Sequence, residues 1–193
     1  MANKIVFIQG SPRKKGNTRA AARIAIESAK ENGAEVTEID ATALSFKEPG
    51  CIGCYKCQNS DEYRCGLNDE VAEKVATLPE YNAIVLSTPL YWWSYTAQLK
   101  IFVDRMFSLS KISSESYTSL LSGKVLGLIA TAGGPYENNL ELLENQWKKP
   151  ADMLECKFIS CLFPYTTPVE NSLISDPEAV KKAKEFGRML ASA

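Results

Sequence analysis

The sequence predicts an α/β protein, a doubly wound parallel sheet of five strands between two helix layers. Two observations predict it. Short runs that are apolar at every position recur along the chain, and segments with helical spacing fall between them. A strand covered on both faces needs apolar side chains at odd and even positions alike. Strands alternating with helices are the signature of parallel crossover connections.

Each element can be justified in order. Ile5–Ile8 is the first apolar run, and Asn17–Lys30 the helix after it, with Ala and Ile at helical spacing and Gly33 as a stop. Val36–Ile39 is less apolar and suits an edge strand. Asn68–Leu78 is a helix with Asn68 and Asp69 as cap candidates, ending before Pro79. Ile84–Leu86 marks the third strand. Tyr95–Leu109 is a helix whose stripe is Leu99, Phe102, Val103 and Met106. Val125–Ala130 is the fourth strand, followed by an amphipathic helix over Asn138–Leu154 that Pro150 should kink or split. Phe158–Phe163 is the fifth strand, and Pro177–Leu190 a last helix with Asp176 as cap and Pro177 in its first turn. This βαβαβαβαβα series matches a flavodoxin-like three-layer sandwich of strand order 2-1-3-4-5. Its ligand would lie at the carboxyl ends of the strands, near the switch between the first and third. Residues 1–193 are expected to form one such domain, with a cysteine-containing insertion at about 41–67.

Composition excludes several function classes. The net charge is -1 and the pI about 5.7, so no basic stripe is available for nucleic acid. No apolar stretch approaches a membrane span or a signal peptide, and a cytoplasmic location is expected. Histidine is absent. That removes Ser-His and Cys-His dyads, mixed Cys/His zinc sites and the commonest acid/base group near neutral pH. Chemistry without imidazole suits a cofactor that carries its own reactivity.

The loops after the first, third and fourth strands stand out. Gly10-Ser11-Pro12-Arg13-Lys14-Lys15-Gly16-Asn17-Thr18 leads into a helix N-terminus, whose free N–H groups and dipole attract a phosphate. Ser11, Asn17 and Thr18 can donate hydrogen bonds, and Arg13 can supply charge. The glycines are too widely spaced for a Walker A loop, and Asn17 stands where its lysine would be. Thr88-Pro89-Leu90-Tyr91-Trp92-Trp93-Ser94 is too aromatic for a mere turn, and Thr131-Ala132-Gly133-Gly134-Pro135 has paired glycines that admit a ligand close to the backbone.

G-S-P-R-x-x-G-N-T resembles the phosphate loop of the NADPH-dependent FMN reductase family. T-P-x-Y-W followed by A-Q-L-K-x-F-x-D-R over Ala97–Arg105 is similar to that family's second signature, and the resemblance runs from about Ile5 to Glu137. It implies that Ser11, Arg13, Asn17 and Thr18 hold the FMN phosphate. It implies that Pro89, Leu90, Tyr91 and Trp92 wall the isoalloxazine, and that Thr131, Ala132, Gly133 and Gly134 border its polar edge. Asp104 and Arg105 would be helix-end residues, in salt bridges rather than catalysis. No catalytic side chain is expected, because the flavin carries the chemistry: NAD(P)H reduces it, and a small-molecule or protein acceptor (quinone, azo or nitro compound, flavin, protein) takes the electrons. A homodimer or higher homo-oligomer covering the flavin is typical of the family.

Cys51-x2-Cys54-x2-Cys57-x7-Cys65 is the other strong feature. Thiols at i, i+3 and i+6 can converge in one turn, and a fourth can close the site. A [4Fe–4S] cluster, free or redox-active thiols, and structural zinc all fit this spacing. It resembles the compact motif of iron–sulfur flavoproteins, which implies the alternative function of an electron carrier fed by ferredoxin. A C-x5-R phosphatase loop is excluded, since Arg64 falls one residue late after Cys57. Cys156 and Cys161 read as small buried hydrophobes.

Overall fold

A computed structural model describes residues 2–193. Its main sheet has five parallel strands: β1 (Lys4–Gln9), β2 (Glu35–Asp40), β3 (Ala83–Pro89), β6 (Val125–Thr131) and β7 (Lys157–Phe163). Their order, β2-β1-β3-β6-β7, is the expected 2-1-3-4-5 arrangement, with the polar β2 at one edge. The strands β3 and β6 are buried almost throughout. Alternate residues feed two cores. Ile5, Phe7, Val85 and Ile129 pack under α1 (Asn17–Glu31) and α5 (Pro177–Ala191). Val6, Ile8, Leu86 and Leu128 pack under α2 (Glu70–Ala76), α3 (Ala97–Arg105) and α4 (Glu141–Met153). No helix among the described residues is long and apolar enough to cross a membrane.

Caps fix the helix starts. Asp69 accepts from the Ala72 N–H and Asp176 from those of Glu178 and Ala179, as expected. The third helix begins later than its apolar stripe suggested. Thr96 caps it at Ala97, and a 3-10 turn over Met106–Leu109 completes the span. The fourth begins at Glu141 rather than Asn138, because Asn138 is left-handed (φ 52°) and Glu137 extended. It is not split at Pro150. The helix continues to Met153. Pro150 lies in the last turn, where the missing N–H deprives only the Gln146 carbonyl of a partner. A small antiparallel hairpin, β4 (Ser110–Ile112) and β5 (Tyr117–Ser119), lies between α3 and β6, beyond the five expected strands.

Candidate functional site

The loop after β1 is anchored at its first residue. The Gly10 N–H donates to the Ser87 carbonyl (2.7 Å), and Thr96 Oγ1 donates to the Gly10 carbonyl (2.7 Å). A Cβ on Gly10 would lie 2.7 Å from that of Leu99, so only glycine fits between β3 and α3. The loop ends at Gly16, the α1 N-cap, which has no side chain to bond the helix's first N–H groups. Those first-turn donors have no intrahelical partner and remain available to an anion. Arg19 braces the loop from behind, donating to the Ser11 carbonyl (2.8 Å) and to Asp40 (2.7 Å). Burial would raise the Asp40 pKa, but bonds from Arg19, Lys14 and Thr42 outweigh it and hold the carboxyl well below its ordinary value.

A cavity of about 220 Å³ opens on this helix end. Ser11, Arg13, Asn17 and Thr18 line it on one side, Pro89, Leu90 and Tyr91 on another, and Thr131, Ala132 and Gly133 on a third. The walls are tied together. The Leu90 N–H donates to the Thr131 carbonyl (2.8 Å), and the Thr18 and Thr131 hydroxyls share a hydrogen bond of 2.6 Å. Trp92 and Gly134 do not reach this cavity. They line a neighbouring one of about 250 Å³, which shares Leu90, Ala132 and Gly133 with the first. A Cβ on Gly133 would meet only the Thr166 carbonyl, at 4.0 Å, whereas one on Gly134 would strike the Asn139 amide at 2.4 Å. Gly133 therefore leaves room for a ligand, and Gly134 leaves room for Asn139.

Trp92 and Trp93 occupy a two-residue turn closed by reciprocal 3.1 Å bonds between Tyr91 and Ser94. Both are left-handed (φ 48° and 59°), a geometry normally given to Asn-Gly. Trp92 is 90% exposed. Two bulky residues in this conformation store strain, as functional loops often do.

A fourth wall was missed from sequence. Thr166, Thr167 and Pro168, after β7, complete the cavity. Asn17 holds them. Its amide donates to the Thr167 and Val169 carbonyls and to Ser172, and its oxygen accepts the Leu173 N–H. The Asn17 side chain is thus spent on building the wall, and what it can offer a phosphate is its backbone N–H. Arg13 donates to the Pro168 carbonyl (2.7 Å) from an exposed position that leaves further N–H groups free. The local signal for this wall was a cluster of threonines and prolines at another strand's carboxyl end. That it faces α1 is a long-range fact.

The cysteine segment runs between β2 and α2. Cys51 and Cys54 are exposed, Cys65 is half-buried and Cys57 buried. The expected convergence of the sulfurs is not present: among the described residues, no three His, Cys, Asp or Glu side chains gather as a metal site. The chain around Cys54 follows an irregular path, with Gly53 and Tyr55 both left-handed, rather than the single turn the i, i+3, i+6 spacing suggested. Two cations hold the rest. Arg105, at the end of α3, forms the expected salt bridge, with Asp69 (2.8 Å). Lys111, on β4, donates to the carbonyls of Cys57, Ser60 and Glu62. Asp104 pairs with Lys100, on the surface.

A family model for NADPH-dependent FMN reductases matches residues 3–155. The chain belongs to this family. An iron–sulfur flavoprotein of Methanocaldococcus jannaschii is 34% identical over 74% of this chain and 70% of its own length. One from Archaeoglobus fulgidus is 33% identical over 68% of this chain, which spans 55% of that protein. A solved NAD(P)H:quinone oxidoreductase from Methanothermobacter marburgensis superimposes with a TM-score of 0.76, at 18% identity, over 98% of this chain and all of that one. At that identity the likeness shows the fold alone.

Membership makes the protein an FMN-dependent NAD(P)H oxidoreductase. The cavity fits a flavin phosphate: donors without partners line one side, and apolar and glycine residues the others. The four cysteines are the donor type an iron–sulfur cluster takes, but their sulfurs are not gathered to hold one. Two of the sulfurs accept long N–H contacts, Cys65 from Arg105 (3.9 Å) and Cys57 from Gln58 (3.7 Å).

Proposed function

We propose that the cavity at the carboxyl edge of the sheet holds FMN, and that the protein passes electrons from NAD(P)H to a small-molecule or protein acceptor. One observation carries this reading. The loops after β1, β3 and β6 close a single cavity on an α1 N-terminus whose cap has no side chain. FMN, when bound, supplies the redox chemistry. The protein's residues bind and orient it. Backbone N–H groups of Asn17 and Thr18, with Ser11 and Arg13, take the phosphate. Leu90 and Tyr91 supply apolar contact for the ring, Trp92 extends that contact in the adjoining cavity, and Ala132 and Gly133, which line both cavities, bring backbone to the ring's edge. Exposed Tyr91, Trp92 and Trp93 also support a homodimer whose second copy covers the ring.

A second reading rests on the cysteines. Cys51, Cys54, Cys57 and Cys65 would hold a [4Fe–4S] cluster, and the protein would serve as a carrier between ferredoxin and its acceptor. The donor set and the names of the relatives support it. One experiment tests both. The protein is purified without oxygen, iron and FMN are counted, and NADPH is added. Flavin bands that bleach with NADPH support the reductase. Flavin and iron with no bleaching favour the carrier. No flavin after FMN is supplied sinks both. The double substitution Ser11→Ala, Arg13→Ala should lower FMN affinity at least about tenfold, the equivalent of one lost charge-assisted hydrogen bond, with the fold intact by circular dichroism.

A further inference from the structure

Gln146 lies on the exposed side of α4, where a glutamine ordinarily faces water. Both ends of its amide are instead committed to the aromatic turn, 53 and 52 positions back in the chain. Nε2 donates to the Trp93 carbonyl (2.9 Å), and Oε1 accepts from Ser94 Oγ (2.9 Å). A third bond runs between the same two segments. Trp93 Nε1 donates to the Asn138 carbonyl (3.2 Å), just before α4. The backbone of the turn and one of its two indoles are therefore tied to α4.

That indole carries the other. The Trp92 and Trp93 rings meet edge to face, with centroids 5.3 Å apart and planes at 74°. Trp92 is 90% exposed, so little else directs its ring, yet it lines the cavity that adjoins the phosphate site. Left-handed backbone at two tryptophans persists only where the surroundings over-determine it. The reciprocal Tyr91–Ser94 bonds close the turn, but a two-residue turn closes those bonds in more than one geometry. What distinguishes this geometry is that it presents the Trp93 carbonyl and the Ser94 hydroxyl to one amide on α4.

We propose that Gln146 is a positioning residue for the flavin ring: by fixing Trp93 and Ser94 it directs Trp92 into the cavity beside the phosphate site and so sets how tightly the ring is held. The proposal rests on the reading of the cavity as the FMN site. Gln146 bonds to no residue of the phosphate loop, so FMN and riboflavin should lose affinity equally when it is removed.

The test compares full-length wild type, Gln146→Leu, Gln146→Glu and Asn145→Leu. Asn145 is the exposed neighbour of Gln146 on the same helix and controls for a new apolar side chain there. Two properties are measured. One is the exciton signal of the Trp92–Trp93 pair in circular dichroism of the flavin-free protein. The other is the Kd of FMN and of riboflavin by fluorescence titration. Gln146→Leu should lose most of the exciton signal and bind both ligands about threefold to tenfold more weakly, the equivalent of about one net hydrogen bond. Gln146→Glu keeps the bond from Ser94 but sets a carboxylate against the Trp93 carbonyl, and should lose at least as much. Asn145→Leu should match wild type in both. A wild-type signal and wild-type affinities in Gln146→Leu overturn the proposal. So do equal losses in Asn145→Leu, which would trace the effect to the helix surface, and a weaker FMN with unchanged riboflavin, which would place it at the phosphate. Wild type that binds no FMN overturns the reading of the cavity, and the proposal with it. The exciton signal needs no flavin and tells that failure from a Gln146 that does not hold the turn.

Discussion

At the scale of single residues, the site combines strain with commitment. Trp92 stands in a left-handed conformation while burying little, so its side chain gains almost nothing from the fold. Glycine adopts that conformation without penalty. Trp92→Gly should therefore stabilise the protein by about 1 kcal/mol, raising the melting temperature by about 2–4 °C for a chain of this size. FMN should be held less tightly at the same time. A melting temperature at or below wild type would mean that the turn carries no strain. Asn17 is the reverse case. All its side-chain bonds go to residues 167–173, more than 100 positions away in the chain. Asn17→Ala leaves these partners unsatisfied, at a cost of about 2–4 kcal/mol. Urea unfolding should show that loss, and equilibrium titration should show FMN affinity falling with it, because the wall of Thr166–Pro168 loses its anchor. Wild-type FMN affinity in that variant would show that the wall does not touch the ligand.

At the scale of elements, what could be read in the sequence divides along a physical line. The five strands of the main sheet were legible because burial on both faces demands apolar residues at every position, and the edge strand because it does not. Capping residues were legible because their chemistry is local. The β4–β5 hairpin was not. Its strands Ser110–Ile112 and Tyr117–Ser119 are short and polar, and their partner is the cysteine loop, through Gln58 to the Ser110 carbonyl and Tyr63 to Thr118. The fourth wall of the cavity was hidden for the same reason, since nothing near Thr166 in sequence announces α1. The scatter of the sulfurs shows the limit of spacing arguments, which fix reach but not path. The link between β2 and the phosphate loop is electrostatic and should titrate. Asp40, which joins Arg19 and Lys14, has a folded pKa below its unfolded value. Its contribution is fully present above the unfolded pKa of about 3.9 and is lost as pH falls toward the folded one. Stability measured by urea unfolding should drop between about pH 4 and pH 2, by at most about 1.4 kcal/mol per pH unit for this one group. Asp40→Asn should flatten that slope. An unchanged slope would place the acid sensitivity elsewhere.

At the scale of the molecule, the cavity belongs to no single segment. Its walls come from the ends of β1, β3, β6 and β7, and they meet at one end of α1. A ligand seated there touches elements from both halves of the chain, so its binding energy should appear as stability of the whole fold and not of one loop. Saturation at about 100 times Kd adds about 2.7 kcal/mol, which for a chain of this length is a rise in melting temperature of about 5–10 °C. The phosphate determines how much of that rise riboflavin can reproduce. The α1 N-terminus, Ser11 and Arg13 act only on an anion, whereas Leu90, Tyr91 and Trp92 act on the ring that both ligands share. Riboflavin at the same concentration should raise the melting temperature by less than half as much as FMN. That difference should shrink in the Ser11→Ala, Arg13→Ala protein, where only the backbone N–H groups of the α1 N-terminus still favour the phosphate. Equal shifts from riboflavin and FMN in the wild type would put the binding energy in the aromatic wall and leave the helix end without an anion to hold.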